Sequence, residues 1–212
     1  MAKRELLLGD EAVALGAIHA GISGAYAYPG TPSTELFEYV APRAEKAGIH
    51  ARWSANEKVA VEEALGMSFA GKRAIASMKH VGLNVAADPF MNSAVTGVNG
   101  GLVICVADDP GMHSSQNEQD TRYYARFALL PCFEPADQQE AYDMTRAAFD
   151  LSEKVGLPVV MRLVTRLAHS RADVVTREPV EQNPVKRPED VSQFTLLPVN
   201  ARIQYKELTD KQ

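Results

Sequence analysis

The stretch Gly101-Leu102-Val103-Ile104-Cys105-Val106-Ala107 carries no charged side chain and reads as a strand that is apolar on both faces. Such a strand is buried on both sides, as in a parallel sheet covered by helices above and below. The flanking sequence repeats the theme. Upstream, strands over 25–28, 49–53 and 73–78 alternate with helices over 11–20, 57–70 and around 85–95, and a further helix opens at Thr31-Pro32-Ser33-Thr34 with Leu36, Val40 and Ala44 on one side. Asp10 is placed to cap the first helix, which Gly21 and Gly24 close. Downstream, a polar segment over 109–119 leads to a helix over 121–129, a strand at Cys132-Phe133, a long helix over 138–155 and a strand over 157–163. The alternation predicts an α/β, three-layer fold: a mostly parallel sheet with helices on both faces. From Arg177 the composition changes, with Pro179, Pro184, Pro188 and several charges. The expected division is one domain over 1–177 and a linker and C-terminal tail, packed on something else, over 178–212.

The totals narrow the function. With 212 residues and 46% hydrophobic content, the chain buries one substantial core but is short for two. A net charge of −5 offers no basic surface for phosphates, so nucleic-acid binding has no compositional support. No apolar run is long enough to cross a membrane, and the start Met1-Ala2-Lys3-Arg4-Glu5 has no apolar leader, so a cytoplasmic location is expected. Cys105 and Cys132, each in an apolar stretch, suit reduced, buried thiols, and two cysteines cannot ligate a four-cysteine cluster.

Several familiar motifs are excluded. Gly66-Met67-Ser68-Phe69-Ala70-Gly71-Lys72-Arg73 approaches a phosphate-binding loop, yet Arg73 stands where a Ser or Thr is needed. The stretch also ends a helix rather than opening one, so Gly71 reads as a helix stop. No Gly-x-Gly-x-x-Gly or Gly-x-Ser-x-Gly is present, and the five histidines lack metal-ligand spacing, so no metal site is expected on this chain.

Ligands of such sheets sit beyond the carboxyl ends of the strands, which directs attention to the segments 28–34, 53–57, 78–84 and 107–122. Ser33 and Thr34 lie where hydroxyls either cap a helix or, with free backbone N–H groups, face a ligand. Glu57 opens a helix, where it either complements the helix dipole or, once covered by a partner, becomes a buried carboxylate fit for proton exchange with a heterocyclic nitrogen. Val59, Ala60, Ala64 and Leu65 form a small apolar face on that helix, suited to a close interface and a homo-oligomer.

Four segments together carry a resemblance. Tyr28-Pro29-Gly30-Thr31-Pro32-Ser33-Thr34, Asn56-Glu57-Lys58-Val59-Ala60, Met78-Lys79-His80-Val81-Gly82-Leu83-Asn84 and Asp108-Asp109-Pro110-Gly111-Met112-His113-Ser114-Ser115-Gln116-Asn117-Glu118-Gln119-Asp120 resemble, in this order, the alpha subunit of the indolepyruvate:ferredoxin oxidoreductases. The resemblance implies a transketolase-type pyrimidine-binding domain for thiamine diphosphate, in an enzyme that oxidatively decarboxylates an aryl pyruvate to an acyl-CoA and passes electrons to ferredoxin. Glu57 is then the glutamate that hydrogen-bonds the pyrimidine N1′, and Tyr28, Pro29, Gly30, Thr31, Gly82 and Asn84 are the cofactor-binding positions.

The resemblance also implies partners. The diphosphate-binding domain with its Mg²⁺, a ferredoxin-like domain with [4Fe-4S] clusters and a beta subunit are expected outside this sequence, and ferredoxin and coenzyme A serve the complete enzyme. The isolated chain is expected to be inactive. One departure stands out. Where related pyruvate enzymes carry an arginine for the substrate carboxylate, this chain reads Ala107-Asp108-Asp109, which leaves Lys79, His80, His113 and Arg122 as anchoring candidates. Alternatives are a 2-oxoglutarate or branched-chain 2-oxoacid enzyme of the same family, and a non-catalytic interaction subunit.

Overall fold

The computed structural model describes residues 3–212, so Met1 and Ala2 of the polar start lie outside it. The order is β1 (Lys3–Leu8), α1 (Gly9–His19), β2 (Gly24–Ala27), α2 (Thr34–Ala47), β3 (His50–Trp53), α3 (Glu57–Phe69), β4 (Ala74–Lys79), α4 (His80–Val85) and α5 (Ala87–Thr96). It continues with β5 (Leu102–Asp108), α6 (Thr121–Ala128), β6 (Cys132–Phe133), α7 (Gln138–Val155), β7 (Val159–Val164), α8 (Thr165–Ala168), β8 (Arg171–Thr176), a 3-10 turn (Val191–Phe194) and α9 (Pro198–Asp210).

Six strands form a parallel sheet in the order β3-β2-β4-β5-β7-β6. The seven residues of β5 are all buried, and they alternate between two cores. Val103, Cys105 and Ala107 join Val13, Leu36, Tyr142 and Phe149 of α1, α2 and α7 on one face. Leu102, Ile104 and Val106 join Ala64, Phe90 and Ala125 of α3, α5 and α6 on the other. This is the three-layer arrangement expected from the apolar runs. Among the described residues no helix is long and apolar enough to cross a membrane. Both cysteines are free thiols; burial pushes the Cys105 thiol well up and the Cys132 thiol up to about 11.

Several expectations need correction. Asp10 is not a cap: α1 starts two residues earlier than expected, at Gly9, and Asp10 lies inside its first turn with no exposure. The helix expected around 85–95 is present as α5, but a short helix, α4, also forms in the segment 78–84 read as a loop, and Pro89, which has no N–H to donate to the Val85 carbonyl, keeps the two apart. An antiparallel pair, β1 with β8, was not anticipated: it joins Lys3 to Thr176 and Leu8 to Arg171, and only Leu7 of β1 and Val174 and Thr176 of β8 are buried, too few for a clear alternating pattern.

Residues beyond Arg177 pack on this same chain. The Val180 and Lys186 amides donate to His19 O and Ala70 O, Gln182 Nε2 donates to Ile22 O, and Leu208 of α9 is buried in the second core. Gly71, with φ of +85°, sits under this tail. A Cβ there would lie 2.9 Å from Lys186 N, so the helix stop is also a crossing point.

Candidate functional site

The chain leaves β2 for β3 on one side and then returns to place β4 on the other, so connections diverge between β2 and β4. At such a switch the carboxyl-end loops part and leave a crevice. The loops after β2, β3, β4 and β5 meet there through specific contacts.

Glu57 is the first residue of α3, held in place by the Asn56 cap, whose Oδ1 accepts from Val59 N at 3.0 Å. The residue is 8% exposed, and its side chain makes no hydrogen bond among the described residues. What it touches is Gly82: a Cβ added there would stand 2.5 Å from Glu57 Oε1 and 2.6 Å from Cγ. The carboxyl group therefore lies against the first turn of α4. Gly30 is used in the same way, since a Cβ on it would come within 2.8 Å of Lys79 Cδ. The side-chain faces of two glycines singled out as ligand-binding are filled by a Glu and a Lys of the chain itself.

Lys79 Nζ donates to Ser114 O at 3.0 Å and keeps two further N–H donors. His80 is buried, and its Nε2 donates to Asn117 O at 2.9 Å. Because a carbonyl only accepts, this bond assigns the proton to Nε2 and leaves Nδ1 buried without a partner among the described residues. Both bonds hold the segment after β5. Asp109 holds it from inside, accepting from Ser114 N at 2.8 Å, Ser115 Oγ at 2.7 Å and Thr165 Oγ1 at 2.7 Å. Burial alone pushes the Asp109 carboxyl up, but these donors keep it well below the usual carboxylate range.

The remaining candidates separate clearly. Tyr28, Pro29 and Thr31 are exposed at the mouth of the crevice, beside exposed Trp53, which packs on Phe37 at 4.2 Å. The Ser33 hydroxyl donates to Gly30 O at 2.7 Å and Thr34 Oγ1 accepts from Gly30 N at 3.0 Å, so both are spent inside the turn rather than on the helix end or outward. Asn84 is exposed and its Oδ1 accepts from the Tyr124 hydroxyl. Arg122 is not a free cation, since Asp120 takes its guanidinium at 2.7 Å and Glu134 at 3.4 Å. His113 is exposed, with no side-chain hydrogen bond among the described residues.

Three side chains have roles here that the sequence did not show. Asp108 is fully buried and paired with Arg162 Nε at 2.6 Å, a partner 54 residues away that no local signal could supply. Asp109 reads as a loop polar residue until its three donors converge. Ser54, in the loop before α3, donates to Glu63 Oε2 at 2.5 Å, which ties the helix back to the strand end. Chemically, the crevice offers one unpaired acceptor carboxylate, one ammonium with spare donors and exposed aromatic surface. No cluster of metal-ligating side chains occurs among the described residues.

Residues 15–205 match the family model described as pyruvate flavodoxin/ferredoxin oxidoreductase, thiamine diP-bdg. The chain is 52% identical over 206 residues to the indolepyruvate oxidoreductase subunit IorA of Thermococcus kodakarensis, covering 94% of this chain and 32% of that protein. It is 54% identical over 176 residues to the same subunit of Pyrococcus abyssi, covering 83% and 27%. Among solved structures, a 2-oxoglutarate:ferredoxin oxidoreductase from Magnetococcus marinus, with 2-oxoglutarate, coenzyme A and succinyl-CoA bound, superposes with a TM-score of 0.81. It is 19% identical, over 99% of this chain and 44% of that one. The chain thus spans about a third of the length of the curated relatives it matches.

Proposed function

The chain belongs to the pyruvate flavodoxin/ferredoxin oxidoreductase family in its thiamine-diphosphate-binding part, and from that premise we propose that it supplies the pyrimidine-binding half-site of an indolepyruvate:ferredoxin oxidoreductase. The observation that carries this reading is Glu57, a mostly buried carboxylate at the switch-point crevice with no hydrogen-bond partner among the described residues. Its oxygens are spent on no donor among the described residues and stay open to the crevice, so a ring N–H brought by a ligand meets a free carboxylate acceptor. The donor set therefore fits an aminopyrimidine.

When bound, thiamine diphosphate supplies the carbon nucleophile for decarboxylating a 2-oxoacid. The residues of this chain orient it and control one proton. Glu57 accepts the hydrogen bond from the ring nitrogen N1′ and holds that nitrogen protonated. Tyr28, Pro29 and Thr31 form the exposed lip on which the ring and substrate rest. Lys79, with two donors left, is the cation best placed to meet a substrate carboxylate, while Arg122 is committed to Asp120 and Glu134. In this reading Mg²⁺, the diphosphate-binding domain, the [4Fe-4S] clusters, the beta subunit and the coenzyme A and ferredoxin sites lie on other parts of the enzyme, which works in the cytoplasm on an aryl pyruvate.

The test is Glu57→Gln in the complete enzyme. The amide is nearly isosteric, so cofactor affinity should change little, while deuterium exchange at the cofactor C2–H and turnover should each fall by about two to four orders of magnitude. Exchange at the unmodified rate would remove the assignment of Glu57 and the half-site with it.

A further inference from the structure

Gly82 has no conformational reason to be glycine. It sits inside α4, at a φ that any residue adopts, where Gly is about 1 kcal/mol less favourable than Ala. The three atoms nearest to the position of an added Cβ all belong to Glu57: Oε1 at 2.5 Å, Cγ at 2.6 Å and Cδ at 2.8 Å. Contacts under 3 Å force something to shift, and since all three atoms belong to a flexible side chain, it is the Glu57 carboxyl group that gives. The helix has little room to retreat, because Leu83 is fully buried and His80 is buried and bonded to Asn117 O. The Glu57 carboxyl, in turn, has no hydrogen bond among the described residues to hold its rotamer, so packing alone sets its direction.

We propose that Gly82 is a positioning residue: its bare Cα is the seat that aims the Glu57 carboxyl group into the crevice. This inference rests on the function proposed above for Glu57 and assigns Gly82 to that side chain rather than to the ligand. Any side chain at 82 therefore rotates the carboxyl group away from its present direction.

A double-mutant cycle on the 212-residue chain, without cofactor, tests the seat itself. Gly82→Ala should lower the melting temperature of the chain, and in the Glu57→Ala background, where the three crowding atoms are gone, the same substitution should be neutral or should raise it. If Gly82→Ala prevents folding, Glu57→Ala should restore it. An equal loss in both backgrounds, no loss in either, or a double mutant that stays unfolded would overturn the proposal.

The aiming role is tested in the complete enzyme by C2–H deuterium exchange of bound thiamine diphosphate. Gly82→Ala should slow exchange by about tenfold or more with cofactor affinity nearly unchanged, and Val81→Ala beside it should do neither. If Glu57→Gln slows exchange and Gly82→Ala does not, the aiming role is lost and the function stands. If Glu57→Gln itself has no effect, the function and the aiming role both fall.

Discussion

Glu62 and Glu63 are neighbours on one helix, yet their surroundings differ. Glu62 is exposed and pairs loosely with Lys58 at 3.8 Å, whereas Glu63 accepts the Ser54 hydroxyl and faces Arg52 at 3.3 Å. The Ser54 bond ties Glu63 to the end of β3, a tie that Glu62 lacks. Glu62→Gln should leave stability within about 0.5 kcal/mol. Glu63→Gln should cost about 1 kcal/mol, read by chemical denaturation, because it weakens the tie between α3 and the strand end. Asp10 poses a different problem. Burial raises its carboxyl well above the usual range, the charge of Glu35 adds to this, an approach to the Leu36 amide opposes it and the charge of Glu11 raises it further; Cys105 also faces it, and His169 lies beyond Glu35 at 3.4 Å. A raised folded-state value means that the folded protein holds this proton more tightly than the unfolded one. Its stabilisation is therefore complete below the unfolded value near 4 and fades as pH rises through the folded value. Asp10→Asn should flatten the decline of melting temperature toward alkaline pH, and an unchanged slope between acid and alkaline buffers would show that Asp10 does not drive it.

At the scale of elements, the segment between β5 and α6 is long and polar, and it is held by few bonds. Asp109 provides three of them, and Lys79 and His80 one each. Asp109→Asn puts an amide donor among donors, so it should destabilise by about 1–3 kcal/mol and expose residues 110–118 to limited proteolysis while the sheet remains intact. The pH dependence has the opposite sign to that of Asp10. Since the folded-state carboxyl is held below its usual value, the stabilisation is present above about pH 4 and is lost as pH falls below it. Cleavage of this segment should therefore rise in acid before the rest of the chain opens. The small apolar face of α3, read from the sequence as an interface, is used inside the domain. Ala60, Ala64 and Leu65 are buried against β4 and α5, and only half-buried Val59 reaches the surface.

At the scale of the whole molecule, the crevice is open on the side that carries Tyr28, Thr31 and Trp53. A ligand seated there meets this chain along one edge only. Titration calorimetry of the 212-residue chain with thiamine diphosphate and Mg²⁺ should show binding weaker than micromolar, and tight, Mg²⁺-dependent binding would show that the chain grips the diphosphate itself. The tail adds stability without shaping the crevice. Removing residues 198–212 uncovers the site of Leu208, the one buried residue of α9, and should cost about 2–3 kcal/mol in denaturant unfolding.

The amino-acid sequence alone determined the class of fold and the position of Glu57. Buried strands such as β5 must be apolar on both faces, amphipathic helices must alternate with them, and a strand end followed by a capped helix start is a local pattern. The tertiary structure alone decided which charges are free. Arg122 and Arg162 look alike in the sequence, as do Asp108 and Glu57, yet Arg162 fills Asp108, Asp120 and Glu134 occupy Arg122, and Glu57 lies against Gly82 with no hydrogen bond among the described residues. The β1–β8 pair and the seat at Gly82 were hidden for the same physical reason. Each joins residues far apart in the chain whose own neighbourhoods, short and mostly exposed strands in one case and helix starts in the other, show no sign of the partner that folding brings.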